Sequence, residues 1–154
     1  MKIVLAIDGS KYSKVAVDEL MQIPFAPDTN IRIISIFENP MLAAPGAAPF
    51  GGTLGKYYEE ALSDAKKSAE DTVEHAAQLL KEKNVQLSVT TAVFNGLPKH
   101  AILEDAEAFG ADLIVVGSQG HGAFSRFLLG SVSQSVATHA NCSVLIVRKK
   151  QVDR

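Results

Sequence analysis

Three glycines and two serines carry the first chemical signal in this chain. Gly117, Gly120, Gly130, Ser131 and Ser133 fall within the stretch VGSQGHGAFSRFLLGSVSQSV, Val116 to Val136. Two residues separate Gly117 from Gly120, and nine separate Gly120 from Gly130. Glycine lets a backbone approach a ligand closely and take up positive φ. Serine hydroxyls add donors, and the first N–H groups of a helix are unpaired and sit at its positive end. A loop of such residues opening into a helix therefore suits a phosphate. A plain glycine turn before a serine-capped helix uses the same residues, so the pattern alone leaves both readings open.

The flanking elements are legible. Asp112-Leu113-Ile114-Val115-Val116 is a short apolar run, fit for a buried parallel strand. Beyond the loop, Val132, Val136 and Ala140 recur at helical spacing, so a helix is expected over 131–140. Earlier, Lys2 to Ile7 reads as a first strand ended by the turn Asp8-Gly9-Ser10. Ser10 is a good N-cap for a helix over 11–23, closed by Pro24 and Pro27. Ile31 to Phe37 is a second strand, apolar on both faces. Residues 38–55 hold three prolines and four glycines and are expected to be a long flexible loop. The stripe Tyr58, Leu62, Ala65, Ala69, Val73, Ala76, Leu80 predicts a helix over 56–83. Val85 to Phe94 alternates like a strand with one better-buried face. Pro98 begins a further helix, Gly110 is its expected C-cap, and Ser143 to Arg148 is the fifth strand. Gln151 to Arg154 reads as a frayed tail. Strands alternating with helices indicate an α/β fold with a parallel sheet and helices on both faces. The 154 residues fit one domain.

Composition narrows the function. The net charge of −2 gives no electrostatic case for nucleic acid or an anionic membrane. The one cysteine, Cys142, excludes an intramolecular disulfide and reads as a packing residue. The short first strand and the absence of a long apolar window give no membrane span, so the expected location is cytoplasmic. There is no P-loop sequence, no dinucleotide fingerprint after the first strand, no kinase constellation and no hydrolase elbow. No spacing of cysteines and histidines suggests zinc. His75, His100 and His139 read as surface residues, and His121 as a loop residue beside the phosphates or in solvent. A glycine and serine loop supplies no general base, and only Arg126 lies within it, so binding with little or no turnover is the expectation.

Gly117-x-x-Gly120, nine residues, Gly130-Ser131 resembles the nucleotide-binding signature of the ATP-binding branch of the universal stress protein family. Ile3 to Ser10 is similar to that family's first strand and Asp-x-Ser turn, and Ala111 to Gly117 to its fourth strand. Leu128 to Ser133 and Cys142 to Arg148 resemble its closing segment. The resemblance covers nearly the whole chain. It implies a Rossmann-like three-layer sandwich of the adenine-nucleotide α-hydrolase-like kind, with strand order 3-2-1-4-5. A ligand crevice would open between the carboxyl ends of strands one and four.

By the same resemblance the ligand is ATP, or ADP or AMP, with Mg²⁺ or Mn²⁺ carried on the phosphates. Ala6 and Asp8 would lie beside the adenosine, Ser10 in the adjoining turn, and Ile36 against the adenine. Val116 and Gly117 would line the ribose side. Gly120, Gly130, Ser131 and Ser133 would cradle the phosphates, and Asp8 is the one carboxylate that could reach a metal. Two positions depart from the family's pattern. Gln119 stands where a basic residue or histidine is frequent, and Val132 where some members carry a hydroxyl. The resemblance also implies a homodimer through Val144 to Val147, since an apolar edge strand needs cover. The alternatives are an interaction module that binds no nucleotide, or a slow ATPase or phosphotransferase.

Overall fold

The structure, a computed structural model, describes residues 1–39, 53–84, 86–121 and 128–149. The elements run β1 (Lys2–Ala6), α1 (Lys11–Gln22), β2 (Asn30–Phe37), α2 (Thr53–Lys83), β3 (Ser88–Asn95), α3 (Pro98–Phe109), β4 (Leu113–Gly117), α4 (Ser131–His139) and β5 (Ser143–Val147). The strands form one parallel sheet in the order β3-β2-β1-β4-β5, as the family resemblance implies. β1 lies between β2 and β4, with Ala6 opposite both Ile34 and Val116.

Alternation along β1 sorts the core into two layers. Ile3, Leu5 and Ile7 pack with α1 and α2, whereas Val4 and Ala6 pack on the opposite face with α3 and α4. Ile31 and Ile33 of β2 join the first layer and Ile34 the second. The continuous apolar runs of β1, β2 and β4 are thus those of strands covered on both faces.

Element ends follow local chemistry. Ser10 caps α1, its Oγ accepting from Ser13 N at 3.3 Å. The helix stops at Gln22, with Ile23 as an extended C-cap before Pro24. Gly110 takes φ 68° as the C-cap of α3, and Pro98 stands in that helix's first turn.

Most boundaries agree with the sequence reading to within one residue, and two starts differ by three. α2 begins at Thr53, three residues before the expected Lys56. Gly55 does not break it, because a glycine keeps its N–H and costs a helix only about 1 kcal/mol relative to alanine. β3 begins at Ser88, where a start at residue 85 was expected. The Asn84 side chain accepts from Gln86 N and its carbonyl from Leu87 N, so a turn takes the first residues of the expected strand. Residues 40–52 of the Pro/Gly-rich stretch, Val85, Arg126 and the 151–154 tail lie outside the described residues.

α2 is 31 residues, about 46 Å, whereas the 8-residue strand it precedes spans about 26 Å. Its first fully buried residue among those described is Ala69. The amino-terminal half therefore extends beyond the carboxyl ends of the strands, and there Tyr58 donates to Asn39 Oδ1 at 2.8 Å.

Among the described residues one buried side-chain polar atom is uncompensated. Thr29 is wholly buried between α1 and β2, and its Oγ1 has no hydrogen-bond partner among them. Thr29→Val removes that desolvated hydroxyl at nearly constant shape. It is expected to stabilise the protein by about 1 kcal/mol, raising Tm by about 2–4 °C in thermal unfolding. A lower Tm would contradict the assignment of Oγ1 as unpartnered.

Candidate functional site

Because the sheet order reverses direction between β1 and β4, their carboxyl ends open a crevice. On the β1 side, Asp8 is exposed and its Oδ1 accepts from Ser10 N at 2.9 Å. Gly9 takes φ 78°, which lets the chain turn sharply into α1.

On the β4 side the glycines are set by close approach. Gly117, Gly120 and Gly130 all lack positive φ, so of the two roles the sequence offered, positive φ is not the one they serve. What they share is proximity. A Cβ at Gly117 would lie 2.9 Å from the Tyr12 carbonyl carbon and 3.0 Å from its oxygen. At Gly120 it would lie 2.7 Å from Asp8 Oδ2, and at Gly130 3.2 Å from Gln119 Cα. The first places β4 against the start of α1. The second places the loop against Asp8, and the third folds the end of the loop back on its beginning.

Ser118 fastens this arrangement. Its N–H donates to Val147 O, and its carbonyl accepts from Gly130 N at 2.8 Å and Ser133 Oγ at 2.9 Å. Gln119 Nε2 donates to Leu128 O at 2.8 Å. His121 Nε2 lies 2.8 Å from the Asp8 carbonyl oxygen.

α4 opens at this point. Gly130 is its N-cap, and no described side chain caps it, in contrast to α1 with Ser10. The first N–H groups of α4 therefore lack the side-chain acceptor that α1 has, and they carry the positive end of the helix dipole.

The residues expected at the site divide into three groups. Asp8, Gly117, Gln119, Gly120 and Gly130 come together around the crevice, and Ser131 is exposed at the first turn of α4. Ala6, Val116 and Ile36 share one apolar layer beneath it. Ser10 and Ser133 are buried, one capping α1 and the other donating to Ser118 O and Gly130 O. Val132 packs into the apolar layer of α3 and α4. Sequence reading missed Ser118, because an accepting carbonyl leaves no trace in residue type.

The remaining chemistry-bearing groups lie elsewhere. Cys142 is half-buried, and burial together with the Asp112 charge raises its pKa, so its thiol is protonated and poorly nucleophilic. Among the described residues no group of three or more His, Cys, Asp or Glu side chains could hold a metal. No described helix is long and apolar enough to cross a membrane. A cavity of about 680 Å³ lies between α1 and α2, with Ile7, Val17 and Ala76 among its lining. It adjoins the Asp8 turn through Gly9 but belongs to the layer of α1 and α2.

The model of the universal stress protein family matches residues 1–148. The chain belongs to that family. Universal stress protein YxiE of Bacillus subtilis (strain 168) is 32% identical over 147 residues, spanning 96% of this chain and 98% of that one. The fold is similar to that of hypothetical protein MJ0577, with a TM-score of 0.82 at 21% identity over 97% of this chain and 96% of the other. It is also similar to a universal stress protein crystallised in complex with cAMP. That likeness has a TM-score of 0.65 at 27% identity, over 97% of this chain and 98% of that one.

Proposed function

We propose that this chain is an adenine-nucleotide-binding member of its family, of the ATP-binding branch, and that it acts as a nucleotide-dependent regulatory protein with little or no turnover. The observation that carries the reading is the uncapped start of α4, held by Gly130 over the crevice between β1 and β4. An anion there would meet backbone N–H groups and the helix dipole. The apolar layer of Ala6, Ile36 and Val116 offers the adenosine a floor, and Asp8 offers it a carboxylate. The cAMP bound by a structural relative is a ligand of the same class.

The residues fit Mg-ATP in a particular way. Asp8 Oδ2 is the one carboxylate oxygen identified beside the glycines, so Mg²⁺ or Mn²⁺ would be held mainly by the phosphates. When bound, the metal would neutralise phosphate charge. Asp8 and His121 are the titratable groups described at the crevice; with Asp8 assigned to the adenosine and His121 Nε2 directed at the Asp8 carbonyl, the reading is binding with little or no turnover.

One observation favours the interaction-module reading. Gly117, Gly120 and Gly130 each already serve the protein's own packing, so their presence does not by itself require a ligand. A Gly130→Val variant separates the two. Calorimetric titration with Mg-ATP should show binding by the wild type and a loss on the order of 100-fold in the variant, equivalent to about two charge-assisted hydrogen bonds. Unchanged affinity in a folded variant would remove the phosphate site from this loop.

We further propose a cytoplasmic homodimer through β5. One edge of that strand pairs with β4, and Val144, Leu145 and Ile146 are only half-buried.

A further inference from the structure

Asp8 is held from both sides of the crevice. Its carbonyl oxygen lies 2.8 Å from His121 Nε2, and since a carbonyl only accepts, Nε2 carries the proton. Its Oδ1 accepts from Ser10 N at 2.9 Å. Its Oδ2 makes no hydrogen bond among the described residues and lies against the bare Cα of Gly120. The two loops that form the crevice are thus joined by one histidine hydrogen bond.

We propose that His121 is a positioning residue for the nucleotide site. Its Nε2–H latches the backbone of the β1 turn to the β4 loop, and so places the Cα from which the Asp8 carboxylate projects, with Oδ2 beside Gly120. The proposal rests on the adenine-nucleotide reading above. Asp8 is an exposed side chain at a strand end, followed by a glycine in the left-handed region. Without the latch, the turn that carries this carboxylate loses its described hydrogen bond to the β4 loop, and ordering the turn on binding would consume affinity. With the latch, that ordering is already present in the free protein. The sequence pattern offers a different role, direct contact of His121 with phosphate. The Nε2 atom is already engaged with Asp8, which leaves that role only Nδ1.

The roles separate by ligand. Asp8 belongs to the adenosine side, so a positioning histidine affects adenosine and Mg-ATP alike, whereas a phosphate ligand affects Mg-ATP alone. We would measure both affinities by calorimetry for the wild type, His121→Ala and His121→Gln. Amide exchange at Ser10 would be followed by NMR in the nucleotide-free proteins. His121→Ala should weaken both ligands by a similar factor, about tenfold, and speed Ser10 exchange. His121→Gln keeps an N–H donor at similar reach and should restore most of both. A loss confined to Mg-ATP overturns the proposal, as does unchanged Ser10 exchange in His121→Ala. Failure of the wild type to bind either ligand overturns the nucleotide reading and this role with it. Altered exchange would then leave the latch as a feature of the fold alone.

Discussion

Gly117→Ala is expected to lower the stability of this protein by about 2 kcal/mol, a fall of about 4–8 °C in Tm. The cause is backbone against backbone. The added Cβ would stand 2.9 Å from the carbonyl carbon of Tyr12, 3.0 Å from its oxygen and 3.2 Å from Ser13 N. None of these atoms can rotate away. β4 is an inner strand, paired to β1 and β5, so it cannot drop without breaking ladder hydrogen bonds. α1 would have to lift instead, disturbing Ser13, Ala16, Val17 and Leu20, which it buries. Differential scanning calorimetry decides the matter, and a Tm within 1 °C of wild type would show that the contact yields without strain.

Gly120→Ala should behave in the opposite way. Among the described residues its Cβ would meet only the Asp8 side chain, at 2.7 Å from Oδ2 and 3.8 Å from Cγ. A carboxylate on an exposed turn can swing aside, so the Tm should stay within about 2 °C of wild type. Mg-ATP binding should nevertheless fall by about 10- to 100-fold, because the displaced group is the carboxylate proposed to meet the ligand. The two glycines, separated by two residues in the motif, would then report separately, one on folding and one on binding. Equal loss of stability in both variants would contradict that division.

Much of the fold could be read directly because its rules are local. Ser10, Pro98 and Gly110 sit where helix ends need them, and the two-sided apolar runs of β1, β2 and β4 announce a covered parallel sheet. Strand order is not local. It depends on pairings such as Val4 with Ile114, and here it came from family resemblance alone. The starts of α2 and β3 were misjudged for local reasons: Gly55 is tolerated in the first turn of a helix, and the Asn84 side chain sets a turn ahead of the strand.

The candidate site was legible as a set of residue types but not as a set of jobs. Glycine signals both freedom and smallness, and sequence cannot distinguish them. Gly9 uses freedom, with φ 78°, whereas Gly117, Gly120 and Gly130 use smallness. Ser133 reads as a donor to a ligand, yet its hydroxyl donates to the carbonyls of Ser118 and Gly130. His121 and Asp8 are 113 residues apart, so their contact exists only in the folded chain.

The most direct test of the proposed site is amide chemical-shift mapping of the ¹⁵N-labelled protein during titration with Mg-ATP. The expected result is saturable shifts at Asp8, Gly117, Gly120, Gly130 and Ser131. Absence of shifts at millimolar Mg-ATP would contradict nucleotide binding and bring the interaction-module reading forward. Shifts confined to the cavity between α1 and α2, at Val17, Thr72 and Ala76, would contradict the placement of the site at the glycines.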